Sequence, residues 1–570
     1  MGAFETSPGA HPAPGSNVKG AVGGANWCFL LPSLELGRVV CLGVPSPAAL
    51  ATLGRLAEEV AVCAPERQLR RIRSAIASSR PANVSMLESD RLGASPLPDG
   101  CADLVLLARA PRLSFARGRR LERETERLLA RDGLAYREIR SVPGWLDGGA
   151  AGHGTGPGES AARLWLAPAS GEMRAAAPLG DPQAIAFLES FVGRPLFRRQ
   201  LLRRPGRILS RHRTVRRAVR REGALAGRGA GSLTAGPPQY LRSLAAAAGV
   251  DIDDRRWALV APGDYPSQKV LFFLFAPAAA VPDSVVKITR DPRLNPRLDN
   301  EWRALTLLHE RGLGSDGTLP TPLFFGVHRE LAVLGESAID GEPFRKRTHA
   351  TAECPHARSA VEWLLDLGTA TASKGRTDAR SISGLGQLYE QFKRLYDLEA
   401  GEEDFLSAQI SALTHGADGL PLVFQHGDPG PWNVLITKDG RTAFLDWEAA
   451  EPQGMPLWDL FHFLRSYSFT ISRAAGTRDA LGSFSEQWLE ASAFSRLLAE
   501  TTSRFCARTG LAPGLVEPLF YVCWMHRALK EAATLPPRRL QGGRFINLLR
   551  LAVERRDSPG LRRLFSIARD

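Results

Sequence analysis

The stretch 424–448 constrains what this chain can be more than any other part of it. It contains His426, Asp428 and, after four further residues, Asn433, which opens an apolar run; after a polar turn, a second apolar run ends at Asp446. The turn and the two runs predict a hairpin of short strands, which would bring Asp428, Asn433 and Asp446 into one cleft. Phosphoryl transfer from ATP needs such a set, because one carboxylate orients the attacking hydroxyl while a carboxylate and an amide hold Mg²⁺. The alternative is a surface hairpin with polar decoration.

The residue pattern of this stretch resembles that of a known family. His426-Gly-Asp428 with Asn433, followed by Asp446-Trp-Glu, is similar to the catalytic and metal motifs of the aminoglycoside phosphotransferase and choline kinase group. The resemblance covers roughly residues 238–555. It implies an α+β, bilobal, protein-kinase-like domain that uses ATP and Mg²⁺.

The resemblance gives each motif residue a role. Asp428 would be the catalytic aspartate, and Asn433 and Asp446 would be the Mg²⁺ ligands. Asp459, in a later Trp-Asp-Leu, matches the aspartate that braces the catalytic loop in that family. His426 is expected to pack under the loop and to take no part in the chemistry.

A lysine in an upstream apolar run is the candidate phosphate ligand. Lys287 lies in Val-Val-Lys-Ile, a predicted strand, and a buried lysine is costly unless a charge pairs with it. Glu301, at the start of a predicted helix, is an available partner, and the resemblance makes the two the phosphate-positioning lysine and its helix glutamate. The loop 262–269 would cover the phosphates, with Ser267 as a contact, although it holds a single glycine. The alternative for Lys287 is a surface position on an edge strand.

The front of the chain has a different pattern. From Asn26 to about Ile139, apolar strand-like runs alternate with helix-like stretches, an order that predicts a doubly wound parallel α/β sheet. This order, together with Asp90 and the stretches 97–105 and 126–133, is similar to a class I S-adenosylmethionine-dependent methyltransferase.

The cofactor loop of this front region departs from the methyltransferase pattern. Where that family has Gly-x-Gly-x-Gly after the first strand, this chain has Gly43-Val-Pro-Ser-Pro47. Proline fixes φ and offers no N–H, and Cys-Ala-Pro at 63–65 replaces the acidic residue that would hold the ribose. We therefore predict a degenerate domain used for packing or recognition, with a working methyltransferase as the alternative.

The net charge of +13 is concentrated in one segment. Twelve arginines fall between Arg194 and Arg221, interleaved with apolar residues, and the rest of the chain is close to neutral. Such a segment suits a surface helix that faces anionic lipid headgroups or another polyanion. The alternative is a solvated connector.

The cysteines and the lengths of the apolar runs indicate the cellular compartment. The seven cysteines show no metal-like spacing, and most of them read as buried small hydrophobes, which fits a reducing cytosol. No apolar run is long enough to span a bilayer, and the first two dozen residues lack the apolar core of a signal peptide. We expect a cytoplasmic protein, with the Arg-rich segment able to hold it at a membrane surface.

The sequence thus predicts five regions and one main activity. The regions are a disordered tail (1–25), a methyltransferase-like domain (26–190), an Arg-rich connector (191–237), a kinase domain (238–555) and a C-terminal tail (556–570). The predicted activity is transfer of the γ-phosphate of ATP to a hydroxyl of a small molecule such as a sugar, an amino alcohol or an aminoglycoside.

Two other interpretations remain open. One is a pseudokinase scaffold that binds nucleotide without turnover, and the other is a bifunctional kinase with a live methyltransferase domain. Every core catalytic position is present, which favours a working kinase. For a cationic acceptor, Glu486, Glu490 and Glu500 on C-terminal helices are the candidate acidic residues.

Overall fold

The computed structural model divides into two compact units. The sheet unit comprises Val18–Trp302 and Thr321–Ala338, and the helical unit is built mainly of Arg303–Pro320 and Ile339–Asp570. The residues that the structure describes are 23–76, 81–89, 94–107, 115–141, 160–168, 171–192, 220–227, 236–262, 269–373 and 379–566.

The sheet unit begins with a doubly wound parallel sheet. Its elements are β1 (Leu36–Leu42), α1 (Pro47–Leu56), β2 (Ala57–Ala64), α2 (Glu66–Ala75), β3 (Val84–Glu88), β4 (Ala102–Leu107), α3 (Phe115–Leu128) and β5 (Leu129–Ser141). The strands lie in the order β3-β2-β1-β4-β5, and every neighbouring pair is parallel. Consecutive residues of β1 and β2 are buried, because helices cover both faces of such a sheet. The predicted α/β class of the front region is confirmed.

The same sheet continues with antiparallel strands. The next elements are β6 (Ser160–Ala167), β7 (Ala175–Pro178), α4 (Pro182–Val192) and β8 (Arg220–Gly227). β8 runs antiparallel between β5 and β6. The prediction that 191–237 is entirely connector is therefore wrong over 220–227. Its Gly-Ala-Leu-Ala-Gly run carries no alternating pattern, and the strand is defined by backbone bonds to both neighbours.

The C-terminal end of the Arg-rich segment lies in a strand and not in the predicted surface helix. Arg221 lies in β8 and is buried; its Nη2 is 2.5 Å from Glu138 Oε2, and its Nη1 donates to the Pro168 carbonyl at 3.0 Å. Arg221 is thus a structural residue of the sheet and is not part of a surface helix. Residues 193–219, which hold ten of the twelve arginines, lie outside the described residues.

A five-stranded antiparallel sheet completes the sheet unit. Its elements are α5 (Gln239–Ala247), β9 (Arg256–Val260), β10 (Val270–Phe275), β11 (Ser284–Ile288), α6 (Asn295–Glu310), β12 (Pro322–His328) and β13 (Leu331–Ser337). The strand order is β12-β13-β11-β10-β9, and β9 pairs with β7 through Ala175–Val260 and Ala176–Leu259. Thirteen strands of the described chain therefore form one sheet.

The helical unit carries two small sheets. Its elements are β14 (Gly341–Pro343), α7 (Phe344–Arg347), α8 (Pro355–Thr371), α9 (Ala379–Leu395), α10 (Ala400–His415), β15 (Val423–Gln425), β16 (Val434–Thr437), β17 (Thr442–Phe444), β18 (Glu451–Gly454), α11 (Trp458–Ala474), α12 (Ala480–Phe484), α13 (Ala493–Thr509), α14 (Val516–Ala532), α15 (Arg544–Glu554) and α16 (Pro559–Phe565). The sheets are β14-β16-β17 and β15-β18. The α+β, protein-kinase-like class expected for the second half is confirmed.

Two features of the C-terminal part are not evident from the sequence. Residues 484–499 do not form a single helix, because Ser492 accepts a hydrogen bond from the Ser495 N–H and caps the start of α13. The predicted C-terminal tail also contains α16, whose Leu561 and Leu564 are fully buried in the core of the helical unit. Two apolar residues in a short segment give too little periodicity to predict a docked helix.

Two general expectations can be compared with the structure. None of the helices in the described ranges is long and apolar enough to cross a membrane. All seven cysteines are free thiols; six are buried and Cys101 is half-buried, as the sequence predicted.

Candidate active site

A buried carboxylate holds the turn that carries Asp428. Asp459, in the first turn of α11, accepts hydrogen bonds from the backbone N–H groups of His426 (2.5 Å) and Gly427 (3.1 Å). Gly427 has a φ of +79°, and a Cβ there would lie 2.0 Å from the Ala449 carbonyl oxygen, so only glycine fits. Burial raises the pKa of the Asp459 carboxyl. The geometry gives Asp459 the position of a brace for this turn.

Three side chains contact the Asp428 carboxylate. His462 Nε2 lies 3.1 Å from Oδ1, Trp432 Nε1 donates to Oδ2 at 3.1 Å, and the Asn433 amide nitrogen is 3.3 Å from Oδ2. The Asp428 side chain is 40% exposed, so a substrate can reach it. Burial alone would raise the pKa of Asp428, but the hydrogen bond from His462 and the nearby Arg527 outweigh it and hold the pKa below its usual range. Asp428 is therefore ionised at neutral pH.

His462 is a site residue that sequence analysis missed. It lies one helical turn after Asp459 on α11 and is buried, and its Nδ1 has no hydrogen-bond partner in the part of the chain that the structure describes. Burial and the charge of Arg527 lower the pKa of His462 to about 3, so the ring is neutral at pH 7. Because Nε2 faces Asp428, the tautomer that fits donates from Nε2. The spacing between Asp459 and His462 could have pointed to His462, but only once Asp459 had been placed on a helix.

His426 links the turn to the neighbouring hairpin. The ring is fully buried; its Nε2 is 3.0 Å from the Leu445 carbonyl oxygen, and its Nδ1 accepts from the Asp428 N–H at 3.3 Å. It also packs 4.4 Å from the Trp447 ring centroid. Both ring nitrogens are engaged with the backbone, so the position of His426 suits packing beneath the loop.

The predicted hairpin forms, with β16 and β17 antiparallel and Val434 opposite Phe444. The N–H before Asp446 donates to the Asn433 carbonyl at 2.8 Å, so the two predicted Mg²⁺ ligands lie near each other. Asn433 Nδ2 donates to the Asp428 carbonyl at 3.0 Å, which leaves the Asn433 side-chain oxygen to coordinate a cation. Asp446 has a φ of +69°, a left-handed conformation that costs a non-glycine residue about 1–3 kcal/mol.

The donor set of Asn433 and Asp446 fits Mg²⁺ carried by a nucleotide. Mg²⁺ takes six oxygens and is often bound through one or two protein groups, with phosphates and waters completing the shell. Within the described ranges no group of three or more His, Cys, Asp or Glu side chains could hold a metal by itself. One carboxylate and one amide oxygen suit a metal that arrives with phosphates.

In the sheet unit, Lys287 lies at the centre of a buried cluster of charges. Its Nζ is 2.7 Å from Glu301 Oε1 and 2.8 Å from Glu336 Oε1. Lys269 Nζ is 3.2 Å from Glu301 Oε2. The Lys287–Glu301 pair expected from the sequence thus forms between β11 and α6. Because Lys287 is 7% exposed, the alternative of a surface lysine is wrong.

Sequence analysis missed Glu336 and Lys269. Burial raises the pKa of Glu336 to about 7, although Lys287 acts against it, and Glu336 Oε2 has no hydrogen-bond partner among the described residues. Lys287 lies opposite Leu271 and Leu334 in the sheet, and Lys269 and Glu336 are each two residues from those positions. They therefore share its face, because strand side chains alternate. The shared face of these three residues can be recognised only once the strand pairing is known.

The structure describes the methyltransferase-like cofactor loop but not most of the loop expected to cover the phosphates. Ser267 and Asp90 lie outside the described residues. In the methyltransferase-like loop, Pro47 occupies the first turn of α1, and Ser46 Oγ accepts from the Ala49 N–H at 3.2 Å. The N-terminus of α1, where such folds receive a cofactor, is thus capped by the chain's own side chain.

The fold and these residues resemble those of one class of protein. A lysine–glutamate pair on an antiparallel sheet, an aspartate-bearing turn and an asparagine–aspartate hairpin are the parts of the protein-kinase-like phosphotransferases. Residues 273–497 match the model of the phosphotransferase enzyme family, which is less than half of the chain. The matched segment contains every motif residue that carried the resemblance, which is therefore confirmed there.

Solved structures similar to parts of the chain fall into two groups. An aminoglycoside phosphotransferase of Streptomyces rimosus, solved with ADP and streptomycin, is 16% identical, with 50% of this chain and 90% of that chain covered and a TM-score of 0.27. A choline kinase of Streptococcus pneumoniae is 12% identical, with 50% and 89% covered and a TM-score of 0.28. A candidate methyltransferase of Pseudomonas syringae is 16% identical, with 25% and 87% covered and a TM-score of 0.19. A comparison with curated proteins gives no match.

Proposed function

We propose that this chain is an ATP- and Mg²⁺-dependent phosphotransferase that acts on a hydroxyl of a small molecule. The observation that carries the proposal is the ionised, accessible Asp428 carboxylate, held by His462 and Trp432 beside the Asn433–Asp446 pair. The family match over 273–497 supports it.

Each side chain has a part in binding. Lys287 binds the α- and β-phosphates of the nucleotide, and Glu301 keeps the Lys287 ammonium in place. Asn433 and Asp446 hold Mg²⁺, which neutralises charge on the phosphates. Asp459 fixes the turn through the His426 and Gly427 N–H groups, so the Asp428 carboxylate is placed before any substrate arrives.

The transfer step conserves charge and atoms. The acceptor oxygen forms a bond to the γ-phosphorus while the bond from that phosphorus to the β–γ bridging oxygen breaks, and its electron pair leaves with ADP. Asp428 orients the acceptor hydroxyl and takes its proton late. The neutral His462 keeps its hydrogen bond to Asp428 throughout, since it has no proton to lose near pH 7.

A phosphorylation screen tests the proposal. Mg²⁺-ATP is supplied with sugars, amino alcohols, aminoglycosides and hydroxy acids, and ADP release is followed together with product mass. Acceptor-dependent ADP release that requires Mg²⁺ supports a working kinase. Nucleotide binding with no ADP release for any acceptor would favour the pseudokinase scaffold.

A further inference from the structure

A buried arginine close to the catalytic aspartate has no ion pair. Arg465 lies on α11 three residues after His462 and is 7% exposed. Its Nη2 is fully buried without a hydrogen-bond partner, and its guanidinium pairs with no carboxylate among the residues that the structure describes. Burying an unpaired charge is unfavourable, so this arginine suits an anion that the described residues do not supply.

The charge of Glu531 acts on Arg465, but the two form no ion pair in the described part of the chain. Glu531 is engaged elsewhere, because its carboxylate accepts from the Phe545 N–H at 3.0 Å and pairs with Arg544 at 3.7 Å. The Arg465 guanidinium lies 5.4 Å from the Phe545 ring centroid, a cation–π contact that supplies no counter-charge. Burial and the charge of Arg544 lower the pKa of Arg465 to about 10, so it stays charged at pH 7.

Both the Asp428 carboxylate and the Arg465 guanidinium act on His462. His462 contacts Asp428 at 3.1 Å, its ring is 6.4 Å from the Phe545 ring, and the charge of Arg465 acts on it. Side chains three apart on a helix have their Cβ atoms roughly 5–6 Å apart. A molecule whose hydroxyl meets Asp428 can therefore extend one helical turn further to Arg465.

Two cations lie in the surroundings of Asp428, and the carboxylates of Asp459 and Glu451 also act on them. Arg527 is buried and acts on Asp428, and Lys530 lies close enough to Asp428 to be influenced by it. Of the acidic residues considered for a cationic acceptor, Glu490 pairs with Arg555 at 2.7 Å and Glu486 accepts from a threonine hydroxyl at 2.8 Å. An anionic ligand at Asp428 would therefore meet two cations, whereas Glu490 is already paired.

We propose that the acceptor is an anionic alcohol, a small polyol bearing a carboxylate or a phosphate, whose oxyanion binds Arg465 while its hydroxyl meets Asp428. This inference rests on the proposed phosphotransferase function and narrows its substrate class. A guanidinium fork matches two oxyanion oxygens at once, which gives both affinity and orientation. The hydroxyl is phosphorylated by the step already described, and the carboxylate or phosphate takes no part in bond making.

Matched acceptors that differ only in charge provide the test. The panel pairs glycerol with glycerate and glycerol 3-phosphate, and glucose with glucuronate and glucose 6-phosphate, with choline and kanamycin as cations. The wild-type protein should phosphorylate the anionic member of a set with a lower KM than the neutral one, and the two anions separate a carboxylate source from a phosphate source. Lower KM values for neutral or cationic acceptors would overturn the inference while leaving the kinase proposal intact.

Variants of Arg465 separate binding from folding. Arg465→Met should raise the KM of the anionic acceptor about 10- to 100-fold and erase its preference over the neutral one, and Arg465→Lys should restore part of it. Arg504→Met, which removes a surface guanidinium paired with Glu362, should keep the preference. Because Met removes an unpaired buried charge, the melting temperature should not fall. A lower melting temperature with an unchanged preference would make Arg465 structural and overturn the inference.

A binding measurement covers the case in which no panel member is phosphorylated. Glycerol 3-phosphate and glucuronate are then tested by thermal shift on wild-type protein and on Arg465→Met. Stabilisation by an anion that the Met variant lacks supports the inference, and its absence overturns it. Loss of all Mg²⁺-ATP turnover with this anion response retained would instead count against the phosphotransferase proposal alone.

Discussion

At Asp428 two influences oppose each other, and hydrogen bonding outweighs burial. The donors are Trp432, Asn433 and a histidine that burial keeps neutral. A neutral donor holds the carboxylate without competing for the proton that Asp428 would receive in the proposed transfer. The site thus keeps one charge state over the pH range in which the enzyme would work.

The first prediction concerns this carboxylate. Asp428→Asn should lower turnover by about two to four orders of magnitude, because an amide cannot accept the proton of the acceptor hydroxyl. Fold and nucleotide binding should be kept. Turnover and nucleotide titration are compared with Asp439→Asn, the same change at an exposed position of the hairpin turn. Near-normal turnover in the Asp428 variant would remove this residue from the mechanism.

The second prediction concerns Glu336. Its pKa is raised to about 7 in the folded chain from an ordinary value of 4.5, so the folded state holds a proton that the unfolded state releases between those values. Stability from this group is complete below about pH 4.5 and is lost as pH rises to 7, by on the order of 3 kcal/mol. Between about pH 4.5 and pH 7, the free energy of unfolding of the wild type should therefore fall by that amount relative to that of Glu336→Gln.

Unfolding in urea at about pH 4.5 and at pH 7 measures the contribution of Glu336 to the free energy of unfolding. Glu310→Gln is the control, because Glu310 is exposed. A wild-type-minus-variant difference that does not change with pH would show that Glu336 is ionised throughout. The control should show no such change.

Some residues of the site can be recognised from one short stretch of sequence, and others cannot. Asp428, Asn433 and Asp446 were predictable because they lie within a short stretch whose spacing the chemistry dictates. His462 and Glu336 were not, since each reaches the site only through a helix turn or a strand pairing that joins distant positions. The physical reason is that burial and pairing, which set their roles, are properties of the folded chain.

At the scale of elements, the hairpin β16–β17 carries both predicted metal ligands. The backbone hydrogen bond from Leu445 to Asn433 brings the two residues close together, and Asp446 has a left-handed φ. Such a strained position is retained where function needs it. The sequence predicted the hairpin through its polar turn, but gave no sign of the unusual φ.

The third prediction concerns Mg²⁺. Asp446→Ala should abolish the Mg²⁺-dependent part of nucleotide affinity, because this carboxylate is the main protein charge opposing the ion. Calorimetric titration of ATP with and without Mg²⁺ measures it, against Asp439→Ala in the turn of the same hairpin. Unchanged Mg²⁺-ATP affinity in the Asp446 variant would contradict the metal assignment.

The fourth prediction concerns the loop before α1. Pro45 and Pro47 supply no N–H, and Ser46 caps the helix, so a cofactor would find few backbone donors there. Each lost hydrogen bond to a polar or charged ligand is worth about 1–3 kcal/mol. The full chain should therefore show no measurable S-adenosylmethionine binding by calorimetry. A micromolar dissociation constant would instead make the front domain a live methyltransferase.

At the scale of the whole molecule, one sheet joins the two regions that the sequence separates. β9 of the kinase-like part pairs with β7, the Tyr240 hydroxyl donates to the Phe29 carbonyl at 3.2 Å, and the Tyr240 N–H donates to the Pro32 carbonyl at 2.9 Å. Their apolar residues belong to one core cluster. The sequence predicted the strands of both parts but not their union, because pairing across some eighty residues leaves no local pattern.

The fifth prediction follows from that shared core. A chain reduced to residues 238–570 should melt at a lower temperature than residues 23–570 and aggregate more readily. It exposes the edge of β9 and part of an apolar cluster that the front half covers. Scanning calorimetry and light scattering compare the two chains. Equal melting temperatures would show that the kinase-like part folds independently.

The pairing of Ala175 and Ala176 with β9 also bears on how such a chain can change over generations. Two modules on a flexible tether can be exchanged by recombination, whereas here an exchange of the front half would leave a bare strand open to self-association. We expect the two halves to be inherited together. Selection on the front half can then relax its cofactor chemistry while still preserving the edge that shields its neighbour.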